Sequence, residues 1–240
     1  MKAISDRFSW RTYVLFMLAL IAAMLLCICM GSVSIPLKDT LTAMWNTLWG
    51  LEVPQGISKN IILNVRLPRV INVALVGAAL SLCGAAMQGL LRNPLADGST
   101  LGVFSGAALG AVIALAFGVS VPGVTFGGVM VMAMVFAFLS LVLILSLAYV
   151  LDRSLSTNSI ILIGVIFSMF ASSVINLIIS FAEDHIKSIT FWTMGSLSGT
   201  NFGHVRILVI AVLICGTIIL RYARELNAFA IGEDNARTLA

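Results

Sequence analysis

Long apolar runs, separated by short polar interruptions, set the organisation of this chain. A helix that crosses a bilayer needs about 20 predominantly apolar residues. That measure picks out six segments, at 12–32, 69–91, 100–118, 124–150, 159–181 and 204–221. The gaps between them are too short for a second folded domain, so the pattern predicts one integral membrane domain over residues 1–240. The fold class expected is all-α, a multi-span transmembrane helix bundle.

The interruptions carry more information than the runs. In QGLLRNPLADGSTLGVFSGAALGA, residues 88–111, Asn93 and Pro94 give a turn signal. Asp97, Gly98, Ser99 and Thr100 then supply helix-capping groups just before the apolar pattern resumes. This predicts a tight hairpin between the second and third spans. Within the third, Gly102, Gly106 and Gly110 recur every fourth residue with Ala107 and Ala111 beside them. Such a face lets another helix approach closely and is expected to serve helix packing. On the fifth span Ser168, Ser172, Asn176 and Ser180 stand four apart, with Gly164 a step earlier, tracing one inclined ridge. Serine hydroxyls can bond back to the preceding turn, so a self-satisfied helix contact is one reading. The Asn176 amide needs partners outside its own helix, so a ridge lining a water-accessible path is the other. The first and fourth spans have few polar residues and are expected to face lipid. Before the second span, RLPR places Pro68 where a helix's first turn would tolerate it, with Arg66 and Arg69 at the membrane rim. They are either snorkelling anchors or a docking point for an acidic partner outside.

Composition agrees with the pattern and narrows the chemistry. Sixty per cent of residues are hydrophobic and 10% charged, with mean hydropathy +1.09, where soluble domains carry about a quarter charged. The net charge of +4 is scattered at the ends of apolar runs, so no basic stripe marks a nucleic-acid partner. Lys2, Arg7 and Arg11 place the N-terminus in the cytoplasm, together with Arg92, Arg153, Arg221, Arg224 and Arg237. Lys38, Lys59, Arg66, Arg69, Lys187 and Arg206 fall outside. The first apolar run is long enough to span and lacks a small-residue cleavage site, so it is expected to stay as a helix. Cys27, Cys29, Cys83 and Cys215 lie inside apolar runs without paired spacing and read as packing residues. His185 and His204 are joined by no acidic or cysteine cluster, so no metal site is expected. No phosphate-binding Gly-x-x-x-x-Gly-Lys-Ser/Thr loop is present. No carboxylate sits mid-span to relay protons, and no nucleophile has a plausible base. The chain is expected not to be an enzyme and to need no cofactor.

Four stretches carry a family resemblance in order: RLPRVINVALVGAALSLCGAAMQGLLRNPLADGSTLGVFSGAALGA, LSTNSIILIGVIFS, FWTMGSLSG and LNAFAIGEDNARTLA. Over residues 60–240 the chain resembles the FecCD permeases, membrane subunits of type II ABC importers for iron-siderophores, haem and vitamin B12. The resemblance implies a ten-helix protomer in the bacterial cytoplasmic (inner) membrane. It implies a second permease subunit, the same or different, two cytoplasmic ATP-binding subunits and an extracytoplasmic substrate-binding protein. ATP hydrolysis would then sit on a separate subunit, with ferric siderophores the expected cargo. Arg66 and Arg69 match arginines that meet acidic residues of the binding protein. Thr157 and Asn158 match the cytoplasmic gate, although Asn158 stands where the vitamin B12 permease has a small hydroxyl residue. Ser168, Ser172 and Asn176 fall on the helix that lines the translocation path. Gly232, Glu233, Ala236 and Arg237 match the short helices that seat in the ATPase; alone, that segment reads as an amphipathic surface helix. About six spans of the expected ten are present, and the sequence ends inside the last motif. An ATP-independent secondary transporter or channel using the polar ridge is the alternative.

Overall fold

A computed structural model describes residues 9–31, 33, 35–51, 57–120, 127–153 and 156–231, and every regular element among them is helical. In chain order these are α1 (Trp10–Cys29), the amphipathic α2 (Leu37–Leu48), α3 (Ile57–Asn60), a π-turn (Ile61–Arg66) and α4 (Leu67–Leu91). Next come α5 (Val103–Ala116), α6 (Gly127–Leu151), α7 (Thr157–Phe181), a 3₁₀ turn (Glu183–His185), α8 (Ile186–Thr193), α9 (Phe202–Arg221) and α10 (Ala223–Ile231).

Among the described residues, five helical runs are long and apolar enough to cross a membrane: Trp10–Cys29, Ile61–Leu91, Gly127–Leu151, Thr157–Phe181 and Phe202–Arg221. The third segment of the sequence pattern is not a full span. Its helix α5 has 14 residues, about 21 Å of rise against a hydrocarbon core of about 30 Å. The reason lies in residues 97–102. Asp97 draws Ser99 and Thr100 into a capped turn, and Gly102 takes a left-handed φ of +65°, so the helix starts only at Val103. The second span also differs from its expected boundary. Pro68 lies inside a continuous run of 31 residues, because the π-turn directs the Leu67 N–H to the Ile62 carbonyl just before the proline. The shift in hydrogen-bond spacing falls where Pro68 has no N–H to contribute.

The chain divides into two compact units, Met1–Ala78 with Leu197–Ile214 and Ala79–Ser196 with Cys215–Ala240. In the first, Ile28 at the end of α1, Ile35, Ala43 of α2 and Ile62 of the π-turn form a core. Met44, Leu67 and Val70 pack against it. Most of α1 leaves its apolar side chains exposed.

The second unit is built around α5, which packs on α6, α7 and α8. Gly106 and Gly110 make the α5–α6 approach possible. A Cβ on Gly106 would sit 2.8 Å from the Phe136 carbonyl oxygen, and one on Gly110 would lie 2.7 Å from Phe136 Cβ. Gly102 contributes differently, as the left-handed residue before the helix, where a Cβ would lie 2.8 Å from Ile144 Cδ1 and 2.9 Å from Phe167 Cδ1. The fourth span, expected to face lipid, leaves many apolar side chains of α6 exposed and turns one face inward. Its Gly128, Ser140, Ile144 and Ala148 are buried, and Ser140 satisfies its hydroxyl on the Ala137 carbonyl while filling the space beside Gly106.

Candidate functional site

The sequence-selected residues fall into separate places on this framework. In the first unit the two arginines of RLPR part company. Arg66 is 8% exposed, and its guanidinium turns inward to the end of α1. Its Nη1 donates to the carbonyls of Ile28 and Cys29, both at 2.9 Å, and Nη2 donates to the carbonyl of Val33. The last carbonyls of a helix lack intrahelical partners and carry the negative end of its dipole. α1 has no basic residue in its own last turn, so Arg66 supplies that cation from 37 residues away in sequence. Gly31 makes the room, since a Cβ there would lie 2.6 Å from Nη2 and 2.8 Å from Cζ. Arg66 therefore does not face water at the membrane rim. Arg69, one turn on, is exposed. Close by in sequence, Asn72 is 1% exposed, and neither Oδ1 nor Nδ2 has a hydrogen-bond partner among the described residues. Asn72 leaves no mark in the sequence pattern, because one amide in an apolar helix has no periodic companion.

In the second unit, the 92–102 hairpin is held by side-chain bonds. Asn93 Oδ1 accepts from the Leu95 N–H at 2.9 Å. Asp97 Oδ1 accepts from the Ser99 N–H (2.9 Å) and hydroxyl (2.5 Å), and from the Thr100 N–H and hydroxyl (both 3.1 Å). The Ser99 hydroxyl, reinforced by Thr100 and both backbone N–H groups and opposed by slight desolvation, holds the Asp97 carboxyl below its ordinary pKa. The α6–α7 connection is organised in the same manner. Ser156 caps α7 by accepting from the Ser159 N–H. Asp152 Oδ2 accepts from the Ser159 hydroxyl at 2.9 Å and the Ser156 N–H at 3.3 Å. Thr157 and Asn158 occupy the first turn of the helix fixed by this cap, with Asn158 exposed. Asp152 and Ser159 were missed in sequence; an Asp seven residues before a Ser, across an apolar helix end, matches no capping spacing.

The polar ridge of α7 divides along its length. Gly164 is buried against the Thr100 carbonyl, where no side chain would fit. Ser168 Oγ is enclosed without a partner among the described residues. Ser172 and Asn176 are exposed, whereas the neighbouring Ser173 bonds back to the Met169 carbonyl at 3.0 Å. Two of the candidates thus offer polar groups outward and one keeps a hydroxyl inside. Gly232, Glu233, Ala236 and Arg237 lie outside the described residues, just beyond α10. That helix packs onto α4, with the Leu226 carbonyl 3.3 Å from where a Gly89 Cβ would be. Among the described residues no group of three or more His, Cys, Asp or Glu is placed to hold a metal ion.

The arrangement is one of closely fitted helices whose connections are held by side-chain caps, with polar groups but, among the described residues, no cluster placed to hold a metal ion. Comparisons with known proteins agree with that character. The chain is 38% identical over 233 residues to the uncharacterised ABC transporter permease protein YvrB of Bacillus subtilis, covering 96% of this chain and 66% of that protein. It is 32% identical to the molybdate import system permease protein MolB of Haemophilus influenzae, covering 87% of this chain and 60% of MolB. A solved structure described as an inward-facing conformation of a metal-chelate type ABC transporter superposes with a TM-score of 0.75 at 29% identity. That match covers 95% of this chain and 68% of the solved one. The chain therefore spans less than two thirds of the length of the two curated relatives. The model of the FecCD transport family matches residues 19–239, nearly the whole sequence, and the chain belongs to that family.

Proposed function

We propose that this chain is a membrane-spanning subunit of an ATP-driven importer in the bacterial inner membrane. It forms part of the translocation path and performs no chemistry of its own. The observation that carries the reading is the unbroken family match over residues 19–239, laid on five apolar helices able to span. Energy would enter through a separate ATPase whose nucleotide states favour different arrangements of these helices; a ligand shifts such an equilibrium only by its differential affinity. A second permease subunit would close the path.

Within this reading Ser172 and Asn176 present polar groups to the path, and Ser168 offers its enclosed hydroxyl when α7 moves. Thr157 and Asn158 form the cytoplasmic gate at the capped start of α7. Gly232, Glu233, Ala236 and Arg237 seat in the ATPase. Arg69 meets an acidic surface of an extracytoplasmic binding protein, while Arg66 fixes the helix from which Arg69 projects. The cargo proposed is a ferric siderophore, a metal chelate, which the likeness to a metal-chelate type transporter supports.

The test is reconstitution into liposomes with the companion ATPase, second permease subunit and binding protein. Radioiron-siderophore should accumulate only with ATP and be blocked by vanadate. Accumulation of molybdate in place of the siderophore would overturn the cargo. Uptake that follows an ion gradient with no nucleotide present would overturn the importer reading as a whole.

A further inference from the structure

Helix α2 has three distinct flanks. At 3.6 residues per turn, Thr40, Ala43 and Met44 point one way, and they are the residues that meet the core of Ile28, Ile35 and Ile62. Leu41, Trp45 and Trp49 recur every fourth residue roughly 140° around the helix from that flank. They are 44%, 60% and 63% exposed. Asp39, Thr42 and Asn46 occupy the remaining side, with the Thr42 hydroxyl already satisfied on the Lys38 carbonyl at 2.8 Å. Trp49 still follows the helical path, its N–H bonded to the Trp45 carbonyl. The two indole rings lean together with centroids 5.8 Å apart and planes at 49°. One flank is thus covered by protein, one is polar, and the third is a bare aromatic stripe.

A bare Leu-Trp-Trp stripe in water would be costly, at about 25 cal/mol per Å² of apolar surface. Its place in the chain indicates what covers it. α2 begins eight residues after α1 ends and packs on both α1 and the π-turn that opens the second span. Two membrane-crossing runs therefore reach their boundary beside it. Most of the apolar side chains of α1 are exposed as well. Tryptophan, with an apolar body and one N–H donor, concentrates at the level of lipid headgroups. A helix that carries a polar and an apolar flank about a right angle apart, both turned away from its packed face, suits the plane of the interface.

We propose that α2 is a membrane-surface helix whose Leu41–Trp45–Trp49 stripe is sunk into the headgroup layer of the outer leaflet. The partner is lipid, bound through indole rings and apolar area. Asp39, Thr42 and Asn46 then face water. Through its packing on Ile62, the helix fixes the height of the π-turn, and with it Arg69, relative to the membrane surface. The proposal stands apart from the transport reading, since it concerns only where these rings sit.

The experiment uses the full chain in phosphatidylcholine vesicles, with Trp10→Phe and Trp192→Phe so that Trp45 and Trp49 alone report. Lipids brominated near the headgroup end of the acyl chain should cut emission roughly in half, and lipids brominated near the chain terminus by far less, as insertion to ~5–10 Å requires. Aqueous acrylamide should quench weakly. Because Trp192 packs in a core, a second measurement leaves the tryptophans intact. In a chain whose four cysteines are replaced by Ser, Asp39→Cys, about 120° around the helix from the centre of the stripe, should react with a membrane-impermeant maleimide many times faster than Leu41→Cys. Strong acrylamide quenching with no effect of brominated lipid, or equal labelling at both positions, would place the stripe in water. Protection from acrylamide and both bromolipids would mean that protein covers it. Either result overturns the proposal.

Discussion

Arg66 shows how far a side chain's task can lie from its apparent motif. Hydrogen bonds from a charged donor are worth about 1.5–3 kcal/mol each, and Arg66 makes three to α1's end and the loop after it. Arg66→Ala should therefore lower the thermal midpoint of the detergent-solubilised chain by several degrees, and Arg69→Ala should leave it nearly unchanged. On the docking role proposed for it, Arg69→Glu should weaken binding of the extracytoplasmic binding protein about tenfold, roughly 1.4 kcal/mol, mainly through the association rate. Gly31→Ala should reproduce part of the Arg66 defect by pushing the guanidinium out of its seat. A second residue-scale expectation concerns Asp97, whose carboxyl is held below the ordinary Asp value of about 3.9. A carboxyl depressed in the folded state stabilises fully above its unfolded pKa, and that contribution disappears as pH falls through the folded value. The Ser99 and Thr100 amides should thus stay protected from hydrogen exchange down to acid pH, and Ser99→Ala should move the loss of protection upward. Asp97 was legible as a cap because its partners lie two and three residues on. Arg66's acceptors lie 33 to 38 residues back, and no local pattern can reveal a partner at that distance.

At the scale of elements, periodicity told which segments are helices better than where they begin. The four-residue spacing of Gly106 and Gly110 marks a face without side chains, and α6 lies against that face. The sequence does not say that Gly102, in the same series, leaves the helix. Its left-handed φ comes at the end of the Asp97 turn, and a Cβ there would run into Ile144 and Phe167. The π-turn was equally invisible, since it differs from an α-turn only in where each N–H is sent. Gly110→Leu should force α5 and α6 apart, and overpacking of a fitted contact typically costs 1–3 kcal/mol. The expected readout is a lowered thermal midpoint with a broadened elution profile in detergent, while Ala107→Leu, on a partly buried position beside it, should be milder. Ser156→Ala should remove the cap of α7 at a cost of roughly 1 kcal/mol, seen as faster hydrogen exchange at Ser159, and Asp152→Ala should speed exchange at Ser156 by removing its acceptor.

At the scale of the molecule, hydropathy was a sufficient guide to class. A chain that is 60% hydrophobic has to put its apolar residues on the outside, and many of the largest are exposed here. The polar ridge of α7 was less legible, because only the fold distinguishes the enclosed Ser168 from the exposed Ser172 and Asn176. One consequence follows from the way the RLPR arginines are divided. Mobile ions screen exposed charges over roughly 8 Å at physiological ionic strength but barely reach a cation surrounded by carbonyls. Two arginines three residues apart should therefore respond oppositely to brine. A concentrated salt wash ought to strip away whatever Arg69 holds from outside, yet leave the joint under Arg66 closed, so that the membrane portion can be rinsed clean and reloaded without refolding.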